Sequence, residues 1–122
     1  MLKLFFYTLL VFLQSHIIQD IDKQEVSNLL NNEVVVIDVR TNKEFKEGNI
    51  ETSFNLDFQK REFIDSLDKL DKNKEYLIYC ASGNRSLKAS HIMKSLGFKI
   101  IYNYKKGYKD WIKDLDLFFN SL

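Results

Sequence analysis

The run VVVIDV at 34–39 leaves this chain little choice of architecture. Successive side chains of a strand point to opposite faces. A strand apolar at nearly every position must therefore be covered on both sides, as in a parallel sheet sandwiched between helices. EYLIYC at 75–80 and KIIYNY at 99–104 read as further strands, and SFNL at 53–56 as a short one. Helical signals separate them. Asp22 and Glu25 form a capping-box pattern that opens a helix through KQEVSNLLNN, with Val26, Leu29 and Leu30 on one face. Thr41 and Glu44 repeat the pattern for a short helix ending at Gly48. FQKREFIDSLDKL at 58–70 places Phe58, Phe63, Ile64 and Leu67 at helical spacing. SLKASHIMKSLGF at 86–98 is a helix stopped by Gly97, and another helix runs on after KKGYKDW. The expected fold is α/β, a central, mostly parallel β-sheet flanked by helices. Ligands of such sheets bind beyond the carboxyl ends of the strands, where Asp38–Arg40 and Cys80–Ser86 fall.

With 122 residues, the chain has room for one domain. Its 18 basic and 17 acidic residues nearly cancel, and the Lys105, Lys106 and Lys109 cluster is too small to indicate nucleic acid. One cysteine excludes an intramolecular disulfide and a cysteine metal cluster. His16 and His91 are too far apart in sequence to suggest a metal motif.

The first stretch, MLKLFFYTLLVFLQSHII, has one lysine and then ten uncharged residues, Leu4 to Leu13. That is too short for a spanning helix, which needs about 20 apolar residues, and suits the apolar region of a signal peptide. Residues 1–17 are expected to be a signal peptide or an uncleaved membrane anchor, and 18–122 the working domain. Export, periplasmic or membrane-anchored, follows from that expectation. The alternative is an N-terminal helix packed on the domain of a cytoplasmic protein.

The one thiol sits where a strand ends and a helix begins, in CASGNRS at 80–86. A lone cysteine at a strand end is most simply a buried residue. Two further features point to chemistry. Gly83 lets the turn aim successive N–H groups inward, and the helix that starts near Arg85 or Ser86 directs its positive end to the same point. Both stabilise an anion at Cys80, so its thiol pKa is expected to fall and its thiolate to be a nucleophile near neutral pH. The loop residues Ala81, Ser82, Gly83, Asn84, Arg85 and Ser86 are the candidate substrate-binding groups, through their backbone more than their side chains.

CASGNRS resembles the active-site loop C-x-x-G-x-R-S/T of the rhodanese (sulfurtransferase) family. VVVIDVRTNKEFKEGNIETSFNLDF is similar to that family's upstream signature, with Asp38, Arg40, Glu44, Phe45, Gly48, Ile50 and Asn55 matching in order. Gly107 and Trp111 match a later segment. The resemblance spans about residues 18 to 118. Asn49 stands where the family often has histidine, Glu51–Ser53 replace Pro-Gly-Ala, and Lys106 replaces a glycine. These departures imply local loop changes.

The resemblance implies a rhodanese-like domain in which the Cys80 thiolate takes a sulfane sulfur from a donor such as thiosulfate. The resulting persulfide passes its outer sulfur to cyanide, a thiol or a protein acceptor. No cofactor is implied. The related phosphatases and arsenate reductases place five residues between cysteine and arginine. Four lie between Cys80 and Arg85, a tighter loop that favours sulfur. Asp38 and Arg40 are candidates for donor-site support or for a structural pair, with structure favoured. Glu44 and Glu47 read as solvated or capping. Arg85 either attracts the donor or braces the loop. His91 reads as packing or surface, and Trp111 with Phe118–Phe119 as core or edge packing. The competing reading is a non-catalytic protein-binding or sulfur-carrier module that docks a protein through an aromatic and lysine surface around Tyr102–Lys109.

Overall fold

The structure, a computed structural model, describes Lys3 and residues 17–122. The rest of the leader segment lies outside the described residues. Five strands form one sheet: β1 (Ile17–Ile21), β2 (Val35–Asp38), β3 (Phe54–Asn55), β4 (Glu75–Tyr79) and β5 (Ile100–Tyr104). Their order across the sheet is β1-β5-β4-β2-β3, and every neighbouring pair is parallel. The carboxyl ends of β2 and β4 are therefore neighbours, with Asp38 in register with Tyr79.

The helices are α1 (Lys23–Leu30), α2 (Asn42–Glu47), α3 (Phe63–Asp68), α4 (Asn84–Ser95), α5 (Gly107–Trp111) and α6 (Lys113–Asn120). Strand alternation divides the core in two. Tyr76, Ile78 and Cys80 pack on one face with Phe63, Leu67, Ala89 and Met93 from α3 and α4. Leu77 and Tyr79 pack on the other with Val26 of α1, Ile50 and Tyr104, joined by Tyr108 and Trp111 of α5. Two-sided burial of β2 and β4 is what their near-continuous apolar runs require. Among the described residues, no helix is long and apolar enough to cross a membrane.

Local signals explain the helix starts. Thr41 and Glu44 form the full capping box, each side chain meeting the other's backbone N–H. At α1, Asp22 Oδ1 accepts the Glu25 N–H at 2.9 Å. Three elements depart from the sequence reading. Ile17–Ile21 is a strand at the sheet edge, and its exposed Gln19 and Asp20 hide the apolar pattern. The helix expected over 58–70 is confined to α3, because Asp57 Oδ1 accepts the Gln59 N–H at 2.9 Å and turns the chain. Phe58 still reaches the core and meets Phe63 edge-to-face at 5.3 Å, whereas Ile64 is half exposed. Finally, Phe118 and Phe119 are not packed into a core or edge. They are 59% and 67% exposed on α6 and meet each other edge-to-face.

Candidate active site

β4 ends at Tyr79, so Cys80 is the first residue past the sheet, with its side chain on the α4 face. It is 1% exposed. The chain then wraps around the sulfur. The Gly83 N–H donates to Cys80 Sγ at 3.1 Å and the Ser86 N–H at 3.4 Å. Sγ and the Ser86 hydroxyl share a 3.4 Å hydrogen bond, and that hydroxyl is held by the Gly83 carbonyl at 3.1 Å. α4, twelve residues long, starts at Asn84 and points its N-terminus at this loop. Burial alone pushes the thiol pKa up. The Ser86 hydroxyl and the N–H groups of Ser86, Ser82 and Gly83 outweigh it, and the net shift is downward. The expected direction is thus found, with its cause in hydrogen bonds to the charged form.

The loop is braced from behind by the chain after β5. The Tyr108 N–H donates to the Cys80 carbonyl at 2.8 Å and the Lys109 N–H to the Ala81 carbonyl at 3.1 Å. Two glycines make this approach feasible. Gly83 has φ +97°, and a Cβ there would collide with the Lys105 carbonyl. Gly107 has φ +71°, and its Cβ would fall 2.6 Å from the Ala81 carbonyl oxygen. Left-handed backbone costs an ordinary residue about 1–2 kcal/mol before any clash is counted. Gly83→Ala is therefore expected to lower the melting temperature and to slow alkylation of Cys80 by iodoacetamide. Unchanged alkylation kinetics would show that the N–H cradle does not depend on this glycine.

Asp38 and Arg40 are brought together, beside the loop and not in it. Arg40 Nη2 donates to Asp38 Oδ2 at 2.7 Å and to the Gly48 carbonyl at 2.6 Å, and Nε bridges both Asp38 oxygens. The guanidinium carbon lies 4.1 Å from the Tyr108 ring centroid. Both side chains are buried. The pair ties β2 to the loop after α2, and Tyr108 connects it to α5, which supports the structural reading of these two residues. Asn55 Nδ2 adds bonds to the carbonyls of Asp38 and Arg40, at 3.0 and 2.9 Å.

Glu44 is the site residue that sequence spacing undervalued. Besides capping α2, it receives Arg85 in a two-pronged pair, Nη1 to Oε2 at 2.8 Å and Nη2 to Oε1 at 2.9 Å. The Arg85 hydrogen bond, helped by Thr41, holds the Glu44 carboxyl down at about 2 against the opposing effect of burial. Arg85 therefore braces the loop against α2. The two residues stand 41 positions apart, and no local pattern joins them. Ser82 and Asn84 are exposed, and His91 is on the surface of α4. The aromatic surface expected around Tyr102–Lys109 is largely inside. Tyr104 is fully buried with its hydroxyl on Asp110 at 2.6 Å, and Tyr102 and Tyr108 are half-buried. Among the described residues, no group of three or more His, Cys, Asp or Glu side chains is placed to hold a metal ion.

A putative mitochondrial thiosulfate sulfurtransferase of Schizosaccharomyces pombe is 41% identical over 88 residues, 63% of this chain and 62% of its own length. The tRNA uridine(34) hydroxylase of Pelagibacter ubique is 34% identical over 97 residues, covering 78% of this chain and 32% of that protein. The chain thus spans about three-fifths of one relative and a third of the other. The crystal structure of a rhodanese-related protein from Thermoplasma volcanium superimposes with a TM-score of 0.70 at 28% identity, covering 79% of this chain and 92% of that one. The family model for the rhodanese-like domain matches residues 22–114, which hold strands β2 to β5, the Cys80 loop and the segment that braces it, and the chain belongs to that family.

Proposed function

We propose that the protein is a sulfurtransferase in which Cys80 carries a sulfane sulfur as a persulfide. The observation that carries this reading is the buried Cys80 sulfur ringed by the N–H groups of Gly83 and Ser86 with its pKa lowered. The thiolate attacks the outer sulfur of a donor such as thiosulfate. A Cys80 S–S bond forms, the donor's S–S bond breaks, and its electron pair leaves with sulfite. A thiol or cyanide then takes the outer sulfur, and the Cys80 thiolate is restored. This is two-step covalent catalysis with ping-pong kinetics. The loop N–H groups serve the sulfur anion as an oxyanion hole serves oxygen. The four-residue spacing from Cys80 to Arg85 favours a single sulfur atom over a tetrahedral oxyanion.

Incubation with thiosulfate is expected to add one sulfur atom to Cys80, read by intact mass, and cyanide to remove it as thiocyanate. An unaltered mass with thiosulfate and with a hydropersulfide overturns the reading. The apolar run Leu4–Leu13 supports the further proposal that the domain is exported or tethered to a membrane. The mass of the protein isolated from its own host tests it: loss of a stretch near residues 1–17, or fractionation of the full chain with membranes, is expected. A full-length chain in the cytosolic fraction overturns it.

A further inference from the structure

Arg85 is the one cation of the Cys80 loop itself. It lies close enough to interact electrostatically with Cys80 and Asp38, but its guanidinium is committed to Glu44 through both terminal nitrogens. Lys105 and Lys106 line a cleft with Asp20, Asp22 and Glu25, on the β1 side of the sheet. Asp38 and Arg40 neutralise each other. The arginine of the loop therefore meets an incoming donor with its charge compensated by Glu44, and Lys109 stands exposed on the segment behind it.

The geometry points to Glu44 as a specificity-determining positioning residue: by neutralising Arg85 beside Cys80 it biases the sulfur-loading step away from dianionic donors such as thiosulfate and toward alkyl hydropersulfides. This rests on the sulfurtransferase reading and adds a donor class to it. With a hydropersulfide R–S–S–H, the Cys80 thiolate bonds to the outer sulfur, the S–S bond breaks, and R–S⁻ leaves with the electron pair. The product Cys80–S–S–H keeps the proton. One negative charge enters and one leaves, and no external oxidant or reductant takes part. With thiosulfate, a dianion must approach a thiolate, and a free cation beside the N–H cradle would lower the repulsion further.

Glu44→Gln separates charge from structure. Glutamine also serves at the third position of a capping box, so Thr41 keeps its partner while Arg85 loses its counter-ion. The second-order rate of sulfur loading is measured by intact mass for two donors, thiosulfate and the hydropersulfide of 2-mercaptoethanol. The thiosulfate-to-hydropersulfide rate ratio is expected to rise about five- to tenfold in Glu44→Gln, and the gain to shrink as sodium chloride is added. Any change in the Cys80 thiolate cancels in that ratio. In an Arg85→Gln background, Glu44→Gln is expected to leave the ratio unmoved. Glu44→Asp, which keeps the charge, is expected to stay within about twofold of the parent. A ratio that is unchanged in Glu44→Gln, or that rises equally without Arg85, overturns the inference and leaves the sulfurtransferase reading standing. Failure of both donors to load the parent protein overturns both.

Discussion

Replacing Cys80 with serine is expected to abolish sulfur loading and to cut cyanide-dependent thiocyanate release by at least about a thousandfold. The hydroxyl sits in the same cradle of Gly83 and Ser86 N–H groups, but its pKa lies far above that of a thiol. The four loop residues and the Tyr108 and Lys109 braces are untouched, so the fold is expected to survive. No second thiol exists to take over, because Cys80 is the only cysteine. The same fact simplifies the measurement. Every added sulfur atom and every reaction with a thiol reagent reports on one position. Thiocyanate release that persists in Cys80→Ser at more than a few per cent would remove Cys80 from the chemistry.

Asp38→Ala is expected to cost about 3–5 kcal/mol of stability, read by urea unfolding, with Arg40→Ala of the same order. Both side chains are buried and joined by several hydrogen bonds, so deleting one strands the other's charge away from water. Arg40 also holds the Gly48 carbonyl and stacks on Tyr108, so its loss loosens the segment that braces the Cys80 loop. A destabilisation below about 1 kcal/mol in both variants would show that the pair is solvated and dispensable. Stability and turnover should fall together here, in contrast to Cys80→Ser, where turnover falls alone.

Much of this was readable from the residue pattern. The β2 and β4 runs dictated two-sided burial, and the turn after β4 pointed to the proposed nucleophile and to the N–H cradle found around its sulfur. The relatives temper the functional detail, since one is named a putative thiosulfate sulfurtransferase and another a tRNA uridine(34) hydroxylase. What stayed hidden has a common physical cause. β1 is an edge strand with exposed Gln19 and Asp20, so its alternation is masked. The Glu44–Arg85 pair and the Tyr108 brace link residues far apart in sequence, and no short-range period encodes such contacts. Phe118 and Phe119 looked like core because they are aromatic, yet their exposure on α6 is a tertiary outcome.

The strand order has a consequence for how the protein is made. β5, last in sequence, lies between β1 and β4, so the first strand has no partner in the sheet until residues 100–104 have been synthesised. The contacts that close the sheet are long-range, and such topologies fold slowly and late. The same final stretch delivers Gly107, Tyr108 and Lys109 to the back of the Cys80 loop. The edge of the sheet and the brace of the Cys80 loop are thus completed by one late segment of the chain.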